Sequence, residues 1–467
     1  MLPTVLNQRT NQLTPYPLGS LRELWYISFP LIVSLMSTSL MLFLDRLFLA
    51  HYSLESLHAS AYAGAMVQFL QFWAIATACI AEVFVGRANG AGRYEKLGQP
   101  VWQMIWLAII SIAIYWPLAL LAGPYLFYAT ANQALEISYF QILTMCIPLA
   151  TGAAALAAFY IGRGKVVLVT AIMLISNVLN ALLDYILIFG FEPWISPLGI
   201  QGAALATALA LSVQVLVLFL FFFRKTNRQT YGTGRWQFNK RLFTSCLRIG
   251  LPSAVAHGLE ILVWILIFDL MQRLGSDHMT IVTVSQSILF LFTFITEGLS
   301  KGATTVASNL MGAGKYDLVW KLLRSGVKFY LFAFALLYLI LVWRPEILTT
   351  WFVSDLSPSI RDKICVACFW IWFYFLFDGI NWLLIGLLTA AGDTRFIMKI
   401  SGLGPLLFIL LPIYGLIFIG GAPAQLTWMM VALYALFSAT IYFYRFRGEK
   451  WHEHRLTFSR MATQNKA

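Results

Sequence analysis

Charged residues are scarce in this chain. Asp, Glu, Lys and Arg make up 11 % of its 467 residues, whereas a soluble domain carries about 25 % to cover its surface. The hydrophobic class makes up 60 % of the residues, and the mean hydropathy is +0.76. These values exclude a set of soluble domains, a disordered chain and a coiled coil. A polytopic membrane protein remains, because lipid then solvates most of the surface.

Cysteines and catalytic motifs are also few. The five cysteines lie in or beside apolar segments, which excludes a disulfide scaffold. Cys365 and Cys368 have the spacing of a metal-binding pair, but the sequence has no second pair, which disfavours a zinc site. A phosphate-binding Gly-rich loop, a His-Glu-x-x-His helix and a nucleophile elbow are all missing. We therefore expect neither an ATPase nor an enzyme, and no cofactor.

Long apolar runs, by contrast, fill the sequence. They reach the roughly 20 residues that a membrane-spanning helix needs, and they do not alternate as the strands of a membrane barrel do. The polar first 20 residues carry three prolines and lack the apolar core of a signal peptide. Twelve spans of an all-α membrane protein are predicted, at residues 22–50, 59–86, 100–122, 136–161, 166–190, 199–223, 242–272, 279–300, 322–343, 364–391, 396–420 and 424–444.

Lysine and arginine are distributed unevenly between the two ends of these spans. If the N-terminus is cytoplasmic, 25 of the 32 lie in inside segments, four lie in outside segments, and three (Arg46, Arg248 and Lys328) lie within spans. This is the bias that the positive-inside rule describes. We predict that both termini are cytoplasmic and that the net charge of +12 reflects topology rather than a nucleic-acid partner.

The two halves of the chain repeat. Pro30 in ISFPLIVSL matches Pro252 in IGLPSAVAH, and GAGRYEK from Gly90 matches GAGKYDL from Gly312 at the same offset along the chain. Six spans is an even number, so both halves start on the same side and the repeat is parallel. Proteins built this way commonly bind a substrate between the halves and rock one half against the other.

This repeat predicts the domain organisation. It consists of a cytoplasmic segment 1–20, an N-lobe 21–223, a basic linker 224–241, a C-lobe 242–444 and a basic tail 445–467.

Acids within the N-lobe spans are candidates for function, because a charge at mid-bilayer costs about 3 kcal/mol on insertion scales. Asp45 lies in span one and Asp184 in span five, where Asn177, Asn180 and Asp184 share a helical face. With the hydroxyl of Thr207 in span six, these oxygens suit a sodium ion or an exchangeable proton. A polar patch that joins helices is the structural alternative, which we favour for Asn177 but not for the two acids.

The C-lobe carries two further acids, each followed one turn later by a tryptophan. Glu260 and Trp264 lie in span seven, and Tyr374, Asp378 and Trp382 lie in span ten at intervals of four. A carboxylate beside an aromatic face suits a lipophilic organic cation. Tryptophan is abundant, at 16 residues, so chance pairing is the alternative for the two tryptophans.

Other charges in the spans have plainer explanations. Asp269 with Arg273, and Glu297 with Lys301, are spaced four apart at helix ends and are predicted to form ion pairs. Arg46 follows the span-one acid directly and points about 100° away from it on a helix. Its side chain either snorkels to the surface or faces another acid.

Several segments together resemble the MATE (multidrug and toxic compound extrusion) transporter family, from Leu21 to Tyr444. The similar pieces are FPLIVSLMSTSLMLFLDRLFLAH, GAGRYEK, NVLNALLDYILIFG, LGIQGAALAT, LPSAVAHGLE, NLMGAGKYD and LIGLLTAAGDT. The resemblance implies twelve helices in two lobes that form a V. It also implies antiport of a drug against sodium or protons.

The resemblance assigns roles to residues of the N-lobe. Asp45 matches the acid of helix one, and Thr207 matches the hydroxyl of helix six. Asn180 and Asp184 match the helix-five pair that couples the cation. Pro30 matches the proline tied to bending of helix one in some members.

In the C-lobe, Glu260 and Asp378 match the helix-seven glutamate and the helix-ten aspartate of NorM-like members. The chain departs from the family at Arg46, where a smaller polar residue is more usual, and in YIGRGK, a loose version of the Arg-Gly-x-Gly turn. Arg46 bears directly on the ion chemistry of the N-lobe.

The resulting interpretation is a secondary multidrug exporter of cationic or amphipathic small molecules. It is coupled to protons or sodium, works by alternating access, and is expected to be a monomer in the cell inner membrane. A flippase for a lipid-linked anionic substrate is the first alternative, but basic residues within spans are few against several acids. A membrane lipid-modifying enzyme is the second, and it would need an Asp-rich pair of motifs or a histidine cluster. A passive channel is the third.

Overall fold

The computed structural model describes residues 13–347, 358–448 and 451, apart from 129, 131, 192 and 195. Within these residues, twelve helical segments are long and apolar enough to cross a membrane, which confirms the predicted count. The predicted segment 1–20 is described only from residue 13, and most of the basic tail 445–467 lies outside the described residues.

The described helices are α1 Leu21–Tyr52, α2 Leu54–Cys79, α3 Ala81–Gly90, α4 Gly98–Leu126, α5 Gln133–Gly162, α6 Val166–Phe189, α7 Ile200–Phe222, α8 Lys225–Tyr231, α9 Lys240–Leu274, α10 Ser276–Gly312, α11 Asp317–Tyr338, α12 Pro358–Ala391, α13 Thr394–Ile397 and α14 Leu426–Arg447. Helices α2 and α3 together form span two, and α11 continues as a π-helical turn to Trp343.

Span eleven is the least regular of the twelve. It runs from Thr394 to Ile419 through α13 and three π-helical stretches. Pro405 and Pro412 lie inside it. Each proline removes a backbone N–H and presses on the preceding turn, which accounts for the wide turns.

Helix starts follow from local sequence. At α1, Ser20 Oγ accepts from the Glu23 N–H at 3.2 Å, and Glu23 Oε2 accepts from the Gly19 N–H at 2.6 Å. This Ser-x-x-Glu arrangement is a variant of the capping box. At α9, Asn239 Oδ1 accepts from the Leu242 N–H at 3.1 Å. The side-chain oxygens satisfy N–H groups that have no partner within a helix.

The repeat is visible in the backbone. Gly92 and Gly314, the equivalent glycines after spans two and eight, adopt left-handed φ angles of 69° and 73°. In each turn, the N–H of the residue after this glycine donates a 2.9 Å hydrogen bond to a carbonyl of the preceding helix. Arg93 donates to Ala88, and Lys315 donates to Leu310. Glycine adopts this conformation without the steric cost of a Cβ, which explains why both copies carry Gly-Ala-Gly.

The chain forms two compact units that differ from the sequence repeats at their first helices. Unit 1 holds Leu13 and Val33–Ala254, and unit 2 holds Thr14–Ile32 and the described residues from Val255 onward. The first part of α1 therefore belongs to unit 2, and the first part of α9 belongs to unit 1. The divisions lie two residues after Pro30 and Pro252, respectively.

Glycines allow the first part of each helix to pack closely in its unit. In unit 2, a Cβ at Gly298 or Gly302 of α10 would overlap Ile32 or Ser28 of α1. In unit 1, Gly250 of α9 lies equally close to the backbone of α2. Small residues at such positions let helix backbones approach each other in a membrane.

The predicted linker 224–241 lies against α4 in unit 1. Three side chains of α4 form hydrogen bonds with the linker backbone. The indole N–H groups of Trp102 and Trp106 donate to the Thr233 and Trp236 carbonyls at 2.7 and 2.8 Å. Gln103 donates through Nε2 to the Gln237 carbonyl at 3.1 Å and accepts through Oε1 from the Asn239 N–H at 2.9 Å. The Arg163 guanidinium stacks on the Tyr231 ring at 3.6 Å. The linker is therefore a fixed part of unit 1.

Candidate functional site

The acids of spans one and five meet in unit 1. Asp45 of α1 and Asp184 of α6 are 8 % and 0 % exposed, and their carboxyl groups lie within hydrogen-bonding reach of each other. Neither Asp184 oxygen receives a hydrogen bond from a donor among the described residues. Two buried carboxylates side by side repel each other, so the pair is stable only with a proton or a cation between them.

Asn180 connects this pair to α7. With its amide oriented to suit both neighbours, Nδ2 donates to Asp45 Oδ1 at 3.3 Å and Oδ1 accepts from the Thr207 N–H at 3.2 Å. The Thr207 hydroxyl instead donates to the Ala203 carbonyl of its own helix at 3.1 Å. Thr207 therefore contacts Asn180 through its backbone N–H. Its hydroxyl oxygen keeps its lone pairs when it donates within α7, so a contribution of this hydroxyl to ion binding stays a prediction.

Three neighbours complete the surroundings of the N-lobe acids. Asn177 donates to Ser37 Oγ of α1 at 2.8 Å, the helix-joining role that we expected for it. Arg46 is exposed and lies within electrostatic range of Asp45. Tyr139 of α5 lies within electrostatic range of both acids. The sequence did not reveal Tyr139, because a single tyrosine in an apolar helix forms no pattern.

In unit 2, Asp378 of α12 is 4 % exposed. Its Oδ1 accepts a hydrogen bond from the Tyr374 hydroxyl at 2.6 Å, and its Oδ2 is buried without a donor among the described residues. The Tyr330 hydroxyl of α11, also buried and without such a partner, lies within electrostatic range of Asp378. Tyr330 was not predicted, since it lies on another helix and only the tertiary fold brings it here.

A second group of unit 2 surrounds Glu260. His257 Nδ1 lies 3.5 Å from Glu260 Oε2, and the His257 ring stacks on Trp382 with centroids 5.9 Å apart. The Glu260 side chain is 44 % exposed. Glu297 of α10 is half-buried and within electrostatic range of His257, Glu260 and Asp378. Two carboxyl groups, a histidine and a tryptophan ring are therefore presented together.

The structure corrects one of the two predicted ion pairs. Asp269 and Arg273 form theirs, at 2.9 Å. Within the described part of the chain, Glu297 and Lys301 form no ion pair within 4.0 Å, although Lys301 lies within electrostatic range of Glu297. The reason is orientation, because Lys301 is exposed while Glu297 is half-buried near the Glu260 group.

The structure also locates Trp264 and Pro30, two further residues predicted from the sequence. Trp264 packs against Trp428 with ring centroids 5.7 Å apart, within the apolar core of unit 2. That contact favours packing over a substrate role. Pro30 lies inside α1, close to the point where the helix passes from unit 2 to unit 1. A bending role for Pro30 remains a prediction.

Carboxylate and amide oxygens make up the donor set of the candidate ion site. Among the described residues, no group of three or more His, Cys, Asp or Glu side chains is placed to hold a metal ion. In unit 1, Asp45 and Asp184 with the Asn180 amide provide oxygen ligands for a monovalent cation, or two carboxyl groups for a proton.

Two parallel repeats of six spans, each with buried acids, define the class: a polytopic membrane transporter. The family model described as MatE matches residues 30–186 and 252–413. The chain therefore belongs to the MatE family, whose members are transporters and not enzymes. The two matches begin at Pro30 and Pro252, the pair of prolines that the sequence repeat aligns, which supports the repeat.

Curated relatives and solved structures agree with this family. The chain is 25 % identical to the probable multidrug resistance protein NorM of Pseudomonas syringae, covering 93 % of this chain and 96 % of that one. It is 24 % identical to that of Thermotoga maritima, covering 88 % of each. The crystal structure of MATE in the straight conformation is similar in fold, with a TM-score of 0.83, 17 % identity, and 98 % and 99 % of the two chains covered.

Proposed function

We propose that the protein is a secondary multidrug exporter that exchanges lipophilic organic cations for protons or sodium ions. The observation that carries the proposal is the buried Asp45–Asp184 pair with Asn180 beside it. Such a pair requires a proton or a cation, and a transporter can use that requirement to couple ion entry to export. The relatives named as multidrug resistance proteins support the substrate class.

Coupling follows from differential binding. Ion binding at the Asp45–Asp184 pair favours one conformation, and substrate binding favours the other, so that each displaces the other and alternating access results. The Glu260 group suits the cationic substrate, because its carboxylates attract charge and its exposed side chain is reachable. Asp378 with Tyr374 is a second place where a proton or sodium ion can bind.

The proposal includes location and motion. The positive-inside bias supports cytoplasmic termini. The proposal also includes a monomeric state and a location in the cell inner membrane. Pro30, and Pro252 at the equivalent place, interrupt helix hydrogen bonding where α1 and α9 change unit. We assign the bending of these helices to the two prolines.

Efflux from reconstituted vesicles tests the proposal. A fluorescent organic cation is loaded, and inward sodium and proton gradients are imposed separately. We expect efflux with at least one gradient, and its loss in Asp45→Asn and Asp184→Asn. Asp269→Asn is the matched control, since Asp269 is exposed and paired with Arg273, and it should transport normally.

Two outcomes contradict the proposal. Efflux that ignores both gradients would indicate a passive pathway. Folded protein that moves no cation but moves an anionic lipid-linked probe would favour a flippase.

A further inference from the structure

A cleft of 520 Å³ lies in unit 2 between the first part of α1 and α11. It is lined mainly by one arginine and five aromatic side chains, namely Arg22, Tyr16, Trp25, Tyr26, Phe329 and Phe332. Aromatic pairs form its walls: Trp25 and Phe329 have ring centroids 5.0 Å apart, and Tyr16 and Tyr26 have theirs 5.8 Å apart. The cleft is open to the outside of the unit, because Arg22, Trp25, Tyr26 and Phe332 are exposed.

The polarity of the lining changes along the helix axes. Arg22 lies in the first turn of α1, and Trp25 and Tyr26 lie one turn further into the span. On the other wall, Phe329 and Phe332 lie in the second half of α11, about 18–23 Å along that helix from its start. Because the Trp25 and Phe329 rings are in contact, these two residues lie at the same level of the cleft. The cleft is therefore cationic at Arg22, aromatic at the level of Trp25 and Phe329, and apolar at Phe332, which lies about one turn deeper. A phospholipid has the same order of headgroup, ester region and acyl chain.

Further positive charge lies on α11, the helix that contributes Phe329 and Phe332 to the cleft. Lys321, Arg324 and Lys328 are spaced so that they share one face of α11, and all three are exposed. Among the described residues, neither Arg22 nor Lys328 forms an ion pair. Lys328 lies in the middle of α11, so its ammonium group must extend back toward the basic end to reach a polar partner. An anion at the mouth would serve both side chains.

We propose that this cleft binds an anionic glycerophospholipid of the leaflet at the basic end of the spans. Arg22 binds the phosphate as a fork of N–H donors, and Lys328 approaches the same headgroup from the other wall. Trp25 and Tyr26 flank the ester region, where aromatic side chains commonly lie in membranes. Phe329 lies beside Trp25 at the same level, and Phe332, about one turn deeper, contacts the acyl chain. A cationic drug does not fit this place, since Arg22 and Lys328 repel it.

Native mass spectrometry of the full-length protein in detergent tests the binding. The protein is titrated with phosphatidylglycerol, with zwitterionic phosphatidylcholine and with soluble glycerol 3-phosphate. We expect phosphatidylglycerol to bind most tightly and glycerol 3-phosphate to be released, because only the lipid also fills the apolar depth. Arg22→Ala should weaken phosphatidylglycerol binding about tenfold, the effect of one charge-assisted contact, and Lys328→Ala should also weaken it.

Lys315→Ala is the matched control, since Lys315 is an exposed lysine in the turn before α11, and its binding should equal that of the unchanged protein. Equal binding by Arg22→Ala and the unchanged protein would overturn the proposal. So would equal retention of the anionic and the zwitterionic lipid. Retention of glycerol 3-phosphate would overturn it too, because it would identify a free phosphate as the ligand.

Tryptophan quenching locates the lipid without relying on a charge change. Phosphatidylglycerol with brominated acyl chains should quench the protein more than brominated phosphatidylcholine does. We expect Trp25→Phe to remove that difference while keeping an aromatic ring in the cleft. Trp343→Phe should keep it, since Trp343 is 65 % exposed and lies at the far end of the span that contains α11. A difference that survives in Trp25→Phe would place the lipid elsewhere.

Discussion

The Tyr374 hydroxyl donates a hydrogen bond to Asp378 Oδ1 at 2.6 Å, across one turn of α12 and inside a membrane span. The bond orients one carboxyl oxygen and leaves the other buried without a donor among the described residues. A carboxylate held in this way is prepared to receive a proton or a cation. The role of this hydrogen bond can therefore be tested by removing only the Tyr374 hydroxyl.

Replacing Tyr374 with phenylalanine removes the donor and keeps the ring. We expect Tyr374→Phe to reduce gradient-driven efflux about tenfold, because Asp378 loses a charge-assisted hydrogen bond. The measurement is efflux of the fluorescent cation from vesicles. Tyr414→Phe is the control, since Tyr414 is exposed and stacks on Phe418. If both variants transport like the unchanged protein, the Tyr374 hydroxyl has no part in transport.

Asp184→Asn separates coupling from stability. The amide keeps the shape of the side chain and removes one of two facing buried carboxyl groups, and its N–H can donate to the Asp45 carboxylate. We expect an unchanged or higher thermal midpoint in detergent, together with loss of gradient-driven efflux. Asn177→Ala should have the opposite effect. It loses the hydrogen bond to Ser37, which lowers the free energy of unfolding by about 0.6–1.7 kcal/mol, and it should keep normal efflux. Normal coupling in Asp184→Asn would remove the pair from the mechanism.

Gly379→Ala tests the contact behind Asp378. A methyl group at this position would overlap the Tyr330 ring, so the ring must move away from Asp378. We expect a lower thermal midpoint and reduced efflux. Gly415→Ala is the matched control because a Cβ there meets no atom within 4 Å. A normal midpoint for Gly379→Ala would show that Tyr330 repacks at little cost.

The attachment of the linker to α4 can be tested by proteolysis. Trp102→Phe removes the 2.7 Å hydrogen bond to the Thr233 carbonyl. We expect faster tryptic cleavage after Arg235 and Lys240, because the backbone nearby is held less firmly. Trp116→Phe, whose Nε1 bonds the Met145 carbonyl, should leave the cleavage rate unchanged. Equal rates in the two variants would mean that the other bonds to α4 suffice.

Arg445 and Asp393 provide a test at the end of α14. Their 2.7 Å ion pair is largely shielded, with side chains 24 % and 6 % exposed, and Arg445 also lies over the Phe396 ring at 4.9 Å. We expect Arg445→Ala to lower the free energy of unfolding by about 1–3 kcal/mol. The measurement is denaturant unfolding in detergent. Arg447→Ala is the control, because Arg447 is exposed and its replacement should leave the free energy of unfolding unchanged. An equal loss of stability in the two variants would argue against a specific contribution of the Arg445–Asp393 pair.

The individual acids could be predicted from the sequence, because a charged residue is unusual within an apolar helix. Asp45, Asp184 and Asn180 were predicted to act together, and the structure brings them together. The partners of the acids could not be predicted in this way. Tyr139 and Tyr330 lie on other helices, and a tyrosine in an apolar run is too common to signal a polar role.

Glu297 shows why spacing alone is insufficient. Its distance of four residues from Lys301 is that of a helical ion pair, and on this basis the sequence predicts a pair at the end of span eight. Side-chain direction decides otherwise, because Glu297 is half-buried near His257 and Glu260. Which face of a helix is covered depends on the neighbouring helices, and a single sequence does not contain that information.

The sequence by itself determined the membrane class, the twelve spans, the internal repeat and the acids within spans. These features follow from local hydropathy and from matching letters, and both are properties of the chain before it folds. Only the tertiary structure decided that the first part of α1 packs with α10, which is distant in the sequence, and that the first part of α9 packs in unit 1. Close packing at Gly298 and Gly302 selects the α1–α10 contact, because it depends on complementary surfaces that meet only when distant helices come together.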